Sequence, residues 1–381
     1  MKVWQTLRLS LTLSLVLAGL GLSQSSPAAG PGTGFTQQDT SDNLSQLIRS
    51  NAPQYWDMMR TAQPKELANY IQFTGVVAGD PHLGNFSVIP VTIQSNNKRE
   101  MRFLNVDFDD AGIAPFVLDF VRFEISVRAI SSDIKRSDLL AAYLNGLAQK
   151  PIAPPEDIQD FLNRDVKDYD ADTLKYVLDH SKKTAFDFEP GKIERYASRV
   201  PTVSEITDFM KMRGFKVIDI ASRPRARGGS KDELRIWVLT GQDKDRQIME
   251  LKEMGRQGVD YYQDQSKSPT TWLNNVRAAF WPGIDGSSYD LVSIGKKWFW
   301  LRRKEVGMLD VPYSSTKKKK VEFLKELSIF DANQLGLVHG RQPHSAAYLN
   351  AIRSDIDAFH KATNAVGDWY LEEAAKAMPG H

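Results

Sequence analysis

Acidic residues recur inside apolar runs between Gly79 and Asp119. The chain there reads Gly79-Asp80-Pro81-His82-Leu83-Gly84-Asn85-Phe86, then Phe103-Leu104-Asn105-Val106-Asp107-Phe108-Asp109-Asp110-Ala111-Gly112, then Pro115-Phe116-Val117-Leu118-Asp119-Phe120-Val121-Arg122. A carboxylate among apolar neighbours is costly unless it is paired or bound to a metal, so the clustering points to chemistry. An aspartate at one end of a short loop with an asparagine shortly after it suits phosphoryl transfer: Asp80 would orient an attacking hydroxyl and Asn85 would hold a metal ion. Gly79 and Gly84 would let the backbone turn sharply between them. His82 reads as a loop histidine bonded to nearby backbone, with a catalytic or ligand role as the alternative.

In an extended segment Asp107 and Asp109 point to one face, since strand side chains alternate. Two carboxylates about 6 Å apart repel by roughly 3 kcal/mol at an effective dielectric near 20, and a divalent cation would reverse that cost. Oxygen ligands without sulfur suit Mg²⁺ or Mn²⁺, so Asn85, Asp107 and Asp109 form the candidate metal set. Asp110 reads as a solvated turn residue before Gly112.

The elements that must position these groups follow from periodicity. Helical character covers Asp42 to Thr61, and Pro64 to Ile71 reads as a short helix. Phe86–Ile93 and Met101–Val106 read as a strand pair around Asn96-Asn97-Lys98. Beyond Pro115 the period becomes helical over Phe116 to Ile130, and Ser137 would cap a helix over Asp138 to Gln149. Further helices are expected at 156–168, 171–183 and 203–213. Strands follow at Phe215–Ser222, Leu234–Thr240 and Gln247–Lys252, a helix near 270–281, and a hairpin of Tyr289–Ile294 with Trp298–Arg303. The chain then returns to helix at 318–337 and 346–376. Lys317 to Lys320 reads as a solvated helix end, and His339, in Leu337-Val338-His339-Gly340-Arg341, as a helix-end cap.

The motif Gly79-Asp80-x-His82-x-Gly84-Asn85, followed by Asp107-Phe108-x-Asp110-Ala111-Gly112 and Asp119, resembles the catalytic core of aminoglycoside-phosphotransferase and choline-kinase-like enzymes. It is closer to a bacterial family known as domain of unknown function 2252. That family shares the Gly-Asp-x-His-x-x-Asn-Phe loop, the Asp107-Phe108-Asp109 stretch, Pro115-Phe116, Asp119 and a later Gly-rich hairpin. The kinase resemblance implies Asp80 as catalytic base, Asn85 and Asp107 as metal ligands, and Asp119 as a structural acid supporting the loop.

Under that resemblance the second section takes the plan of a kinase small lobe. Gly228 and Gly229 would bring backbone N–H groups to the phosphates of ATP or another nucleotide. Arg225 and Arg227 would add charge, and Lys252 would contact the phosphates. The region after Lys252 offers no well-placed glutamate to pair with it. In ordinary kinases the Gly-rich hairpin precedes the catalytic loop; here it follows, which implies circular permutation. The expected fold is α+β, a circularly permuted, protein-kinase-like two-lobed fold with a helical large lobe and a five-stranded antiparallel small lobe. Its parts are 42–213 (catalytic loop and helical lobe), 214–305 (β lobe) and 306–381 (helices returning to the helical lobe). The arrangement requires Lys252 to lie close to Asp107.

The chain's 381 residues are 41% hydrophobic and 25% charged, ordinary for a globular protein. Lys2 and Arg8, the apolar run Leu9–Leu22 and the small residues at 26–29 read as a secretory signal peptide over 1–29, with a flexible linker over 30–41. Loss of Lys2 and Arg8 would bring the 49 basic residues to parity with the 47 acidic ones, so charge gives no argument for a nucleic-acid partner. No cysteine is present, which removes disulfide, thiolate and lipid-anchor chemistry. The expected location is periplasmic or secreted, with no stable membrane anchor once the signal is cleaved. Three functions remain: a kinase-like phosphotransferase with a small-molecule or protein acceptor, a nucleotide- or ligand-binding pseudokinase acting through a partner, and a metal-dependent phosphohydrolase. The last lacks the downstream Gly-Asn-His-Glu type of ligand motif.

Overall fold

Two-residue alternation in the second half of the chain builds the largest sheet. The computed structural model describes residues 43–224, 233–264, 268–286, 289–306, 311 and 317–378, all within one compact unit. The expected signal peptide, the 30–41 linker and the candidate phosphate-contacting residues Arg225, Gly228 and Gly229 lie outside the described residues. The fold is α+β. No helix among the described residues is long and apolar enough to cross a membrane.

The chain begins with helices α1 (Leu44–Arg49) and α2 (Ala52–Ala62), one helical stretch in the sequence reading but interrupted at Ser50-Asn51. Within the expected short helix at 64–71 only a 3₁₀ turn forms, over Lys65–Leu67. Strand β1 (Thr74–Val77) leads into the Asp80 loop, and β2 (Phe86–Ile93) with β3 (Lys98–Asn105) forms an antiparallel hairpin. Strand β4 (Gly112–Pro115), not foreseen from periodicity, pairs antiparallel with β1. That pairing brings the residues before Asp80 alongside those after Asp110.

Helix α3 (Phe116–Arg128) is almost wholly buried, and α4 (Arg136–Leu147) follows, starting earlier than expected. Ser137 lies inside it and Lys135 holds the cap position without a side-chain bond. After α5 (Glu156–Leu162) and α6 (Val166–Asp179) come β5 (Glu194–Arg195), α7 (Val203–Met212), β6 (Val217–Ser222), β7 (Arg235–Thr240) and β8 (Gln247–Glu253). Helix α8 (Pro269–Phe280) precedes the hairpin β9 (Tyr289–Ile294) and β10 (Lys297–Arg303). The sheet has six strands, not five, in the order β5-β6-β7-β8-β10-β9, every pairing antiparallel. The additional member is the two-residue edge strand β5, too short to show a period.

Helices α9 (Lys318–Gly340), α10 (Ser345–Ser354) and α11 (Ile356–Lys376) complete the chain. The expected single helix over 346–376 is broken at Asp355, whose carboxylate caps the next helix by accepting from Ala358 N. Helix α9 crosses α4 at glycines: a Cβ on Gly336 would lie 2.3 Å from Tyr143 O, and one on Gly146 would lie 2.2 Å from Asn333 O. This close approach carries His339 into the interior.

One large core joins α1–α4 and α9–α11 through residues such as Trp56, Phe116, Phe120, Tyr143 and Phe359. The six-stranded sheet has two apolar layers. Ile236, Val238, Met249, Leu251 and Phe299 pack with Ile206 and Met210 of α7, while Trp237, Leu239 and Ile248 pack with Val177 and Phe186.

Candidate functional site

The Asp80 loop is held by the helix that follows it in space. Asp119 and Arg122 stand three residues apart on α3 and so share a face. The Asp119 carboxylate accepts from Ala78 N at 3.0 Å through Oδ2 and from Gly79 N at 2.9 Å through Oδ1. Gly79 has φ +79°, and a Cβ there would collide with Asp110 O at 1.8 Å, so only glycine fits this turn. Gly84 is different: it lies in a 3₁₀ turn, Leu83–Asn85, without a left-handed φ. Arg122, fully buried, donates from Nε and Nη2 to Asp80 Oδ1 at 3.0 and 2.8 Å and also to Ile48 O. Asn85 Nδ2 donates to Asp80 O at 2.9 Å, and Asn85 O accepts from Val106 N at 2.8 Å. These bonds tie the loop to the segment carrying Asp107.

His339 corrects the sequence reading most sharply. It is completely buried, with Nε2 3.1 Å from Asp119 Oδ2 and Nδ1 2.8 Å from Tyr143 OH. It braces the aspartate that fixes the Asp80 loop and does not cap a helix end.

Strand β8 supplies the other half of the site. Alternation turns Met249 and Leu251 into one apolar layer and leaves Glu250 and Lys252 on the opposite face. Across the ladder, Lys252 stands between Arg235 and Trp300, and Glu250 between Trp237 and Arg302. Glu250 accepts from Arg235 Nη1 at 3.1 Å, Trp237 Nε1 at 3.0 Å and Arg302 Nη2 at 2.7 Å. Lys252 pairs with Asp109 Oδ2, and its Nζ is 4.0 Å from Asp107 Oδ1. Asp80, His82, Asn85, Asp107, Asp109 and Lys252 thus line one cleft of about 720 Å³, with Glu233 and Arg302 also in its wall.

Burial and charge compete at each group. Burial pushes the Lys252 ammonium down, and Asp107 offsets this only in part. Burial opposes ionisation of Asp107, but Lys252, Arg302 and Arg235 outweigh it and hold its carboxyl below the usual range. Asp110 is not a solvated turn residue. It packs against the Gly79 and Gly258 backbones, and its Oδ1 accepts from Gly258 N at 2.8 Å. Burial, reinforced by Asp80 and Asp107, pushes its carboxyl well up. Burial likewise raises Glu233 to about 7, against the pull of Arg235.

Burial lowers His82 to about 4, against the attraction of Asp80. Its Nδ1 accepts from Gly84 N at 3.0 Å, so the neutral ring carries its proton on Nε2, 3.6 Å from Asp80 Oδ2. The loop therefore requires an uncharged imidazole. With a folded-state value depressed below 6.5, the unfolded chain binds the extra proton first, and stability is lost as pH falls from about 6.5 to about 4. The loss is on the order of 3 kcal/mol. Urea unfolding at several pH values across that window should give a steeper decline for the wild type than for His82→Gln. Equal slopes would exclude His82 as the source.

The structure brings together Asp80, Asn85, Asp107, Asp109 and Lys252. Among the described residues no set of three or more Asp, Glu or His side chains converges to hold a metal ion; the loop offers two carboxylates and one amide. Those groups fit a hard cation in kind. Asp107 Oδ1 and Asp109 Oδ1 are buried without a hydrogen-bond partner, and Asn85 spends its Nδ2 on Asp80 O, leaving its oxygen to accept. The residues that sequence reasoning missed are Arg122, Arg235, Glu250, Arg302 and His339. A signal existed for some: Asp119-x-x-Arg122 in an apolar helix, and Glu250-Leu251-Lys252 in an alternating strand.

No curated protein and no solved structure matches the chain. Residues 41–145, which include the Asp80 loop, Asp107, Asp109 and Asp119 but not Lys252, match the model of the family described as "Uncharacterized protein conserved in bacteria (DUF2252)".

Proposed function

We propose that this chain is a kinase-like phosphotransferase that uses a nucleotide such as ATP with Mg²⁺ or Mn²⁺ and transfers to a small-molecule or protein acceptor. The observation that carries the reading is the meeting of Lys252 with Asp107 and Asp109 beside the Asp80–Asn85 loop, in one cleft, from segments far apart in the chain. In this reading the helical elements and the six-stranded sheet correspond to the two lobes of a kinase in permuted order. The sheet's β6–β7 connection carries Arg225, Gly228 and Gly229.

The residues divide the work. Asp80 lines the cleft with Oδ1 held by Arg122 and Oδ2 3.6 Å from His82 Nε2, and in this reading Oδ2 accepts the proton of an acceptor hydroxyl. Asn85, Asp107 and Asp109 would hold the divalent ion, which when bound neutralises phosphate charge. Lys252 would exchange its aspartate contacts for phosphate oxygens, and its burial strengthens that electrostatic pull. Calorimetry on residues 30–381 should show binding of Mg²⁺-ATP, weakened at least about tenfold in Asp107→Ala. Absence of binding to the wild type at millimolar nucleotide rules the proposal out.

One feature favours a second reading. Active protein kinases pair the strand lysine with a glutamate, whereas Lys252 is engaged by Asp109, one of the acids meant for the metal. A pseudokinase that binds nucleotide or another ligand and acts through a partner accounts for this. Nucleotide binding without transfer to any acceptor or to water distinguishes it.

A further inference from the structure

A second cleft, of about 660 Å³, lies between the β2–β3 hairpin, the end of α8 and α9. Its walls are largely apolar, formed by Phe103, Phe280, Ile284 and Val338. Six polar side chains, Gln94, Ser95, Arg102, Asn105, Gln334 and Arg341, also line it, and two of them bear on what it binds. Asn105 is 4% exposed. Its Oδ1 accepts from Asp107 N at 3.1 Å, which sets the amide's orientation and leaves Nδ2 as the donor. That Nδ2 is buried and has no hydrogen-bond partner, a costly state for a donor among apolar groups. Arg341, the residue that closes α9, also lines the cleft. The residue is exposed at the surface, but partial desolvation pushes its guanidinium down and no neighbouring acid offsets the effect. Arg102, the other cation in the wall, already donates to Glu100.

A concave apolar surface of this size with a few polar groups is the usual form of a small-ligand site. The lining holds two arginines and no acid, and Asn105 Nδ2 adds an unpaired donor, so the cleft favours an acceptor that is anionic. We propose that this cleft is a second ligand site that takes a small apolar monocarboxylate. Its carboxylate accepts from Arg341 and Asn105 Nδ2, and its hydrocarbon body lies against Phe103, Phe280, Ile284 and Val338. The site is distinct from the Asp80–Lys252 cleft and does not depend on the phosphotransferase reading.

Titration of the full chain with octanoate and with phenylacetate by calorimetry tests this. Saturable binding with a Kd of about 1 mM or tighter is expected. Arg341→Gln, at an exposed position, should weaken it about tenfold, and Arg341→Lys less, because the planar fork matches a carboxylate better than an ammonium does. Lys252→Met should bind like the wild type. The proposal is overturned if neither acid saturates by about 10 mM, or if Arg341→Gln binds unchanged. It is equally overturned if Lys252→Met abolishes binding, which would place the acid in the first cleft, or if inorganic phosphate binds as tightly as the acids.

Discussion

Glu250→Gln should lower the stability of the folded chain by about 3–5 kcal/mol. Glu250 is 2% exposed and anchors Arg235 and Arg302 at once, with Trp237 donating to its second oxygen. Burial raises the cost of its charge, but Arg302 and Arg235 more than offset this and hold its carboxyl far below the ordinary range. A glutamine keeps the shape yet leaves two guanidinium groups facing an amide. Removing one member of a buried charged network is more harmful than replacing the network with apolar side chains. The triple variant Arg235→Met, Glu250→Leu, Arg302→Met should therefore recover much of the loss. Denaturant unfolding at pH 7 measures both variants, and a Glu250→Gln value within about 1 kcal/mol of wild type defeats the argument. The depressed carboxyl also fixes the sign of the pH effect: its contribution is present above the unfolded value of 4.5 and declines as pH falls below it.

Asp80→Asn should reduce phosphoryl transfer by about a thousandfold, within the range of about 10²–10⁴ that a general base contributes, while nucleotide affinity changes little. Asp80 has one oxygen fixed by two bonds from Arg122 and the other beside the neutral His82 ring. The asparagine keeps the side-chain volume and removes the proton acceptor. It also deprives a fully buried Arg122 of its counter-charge, so the variant's unfolding midpoint must be measured in parallel to separate lost chemistry from lost structure. A folded Asp80→Asn protein that transfers at the wild-type rate removes Asp80 as the base. A wild type that binds nucleotide and never transfers leaves the pseudokinase reading in its place.

Glu250 holds the strand that presents Lys252, and Asp80 faces the reacting atoms. Behind the Asp80 loop lies a support layer of Asp119, Arg122 and His339, buried and polar and outside the lining of the cleft. Such a layer fixes loop geometry because each member's bonds leave its neighbours no alternative partner. Asp119 accepts from two backbone N–H groups and from His339, and His339 in turn meets Tyr143.

Local patterns along the chain encode many of its elements. Alternation located β2, β7, β8 and the β9–β10 hairpin, and the 3.6-residue period located α3, α7, α8 and α9. Acids in apolar runs mark Asp80, Asp107, Asp109 and Asp119. Short elements escape because four residues or fewer carry no period, as with β4 and β5; the helix break at Asp355 carries no proline or glycine, whereas Pro53, in the first turn of α2, marks the break at Asn51. The rest depends on contacts between distant segments. The β1–β4 pairing packs Asp110 against the Gly79 and Gly258 backbones, and the close contact of α4 with α9 buries His339; local sequence reads them as solvated and terminal. The sheet register sets Lys252 against Asp107 and Asp109 and sets Glu250 among its two arginines. Burial and charge pairing arise between segments far apart in the chain, so no local window of sequence contains them.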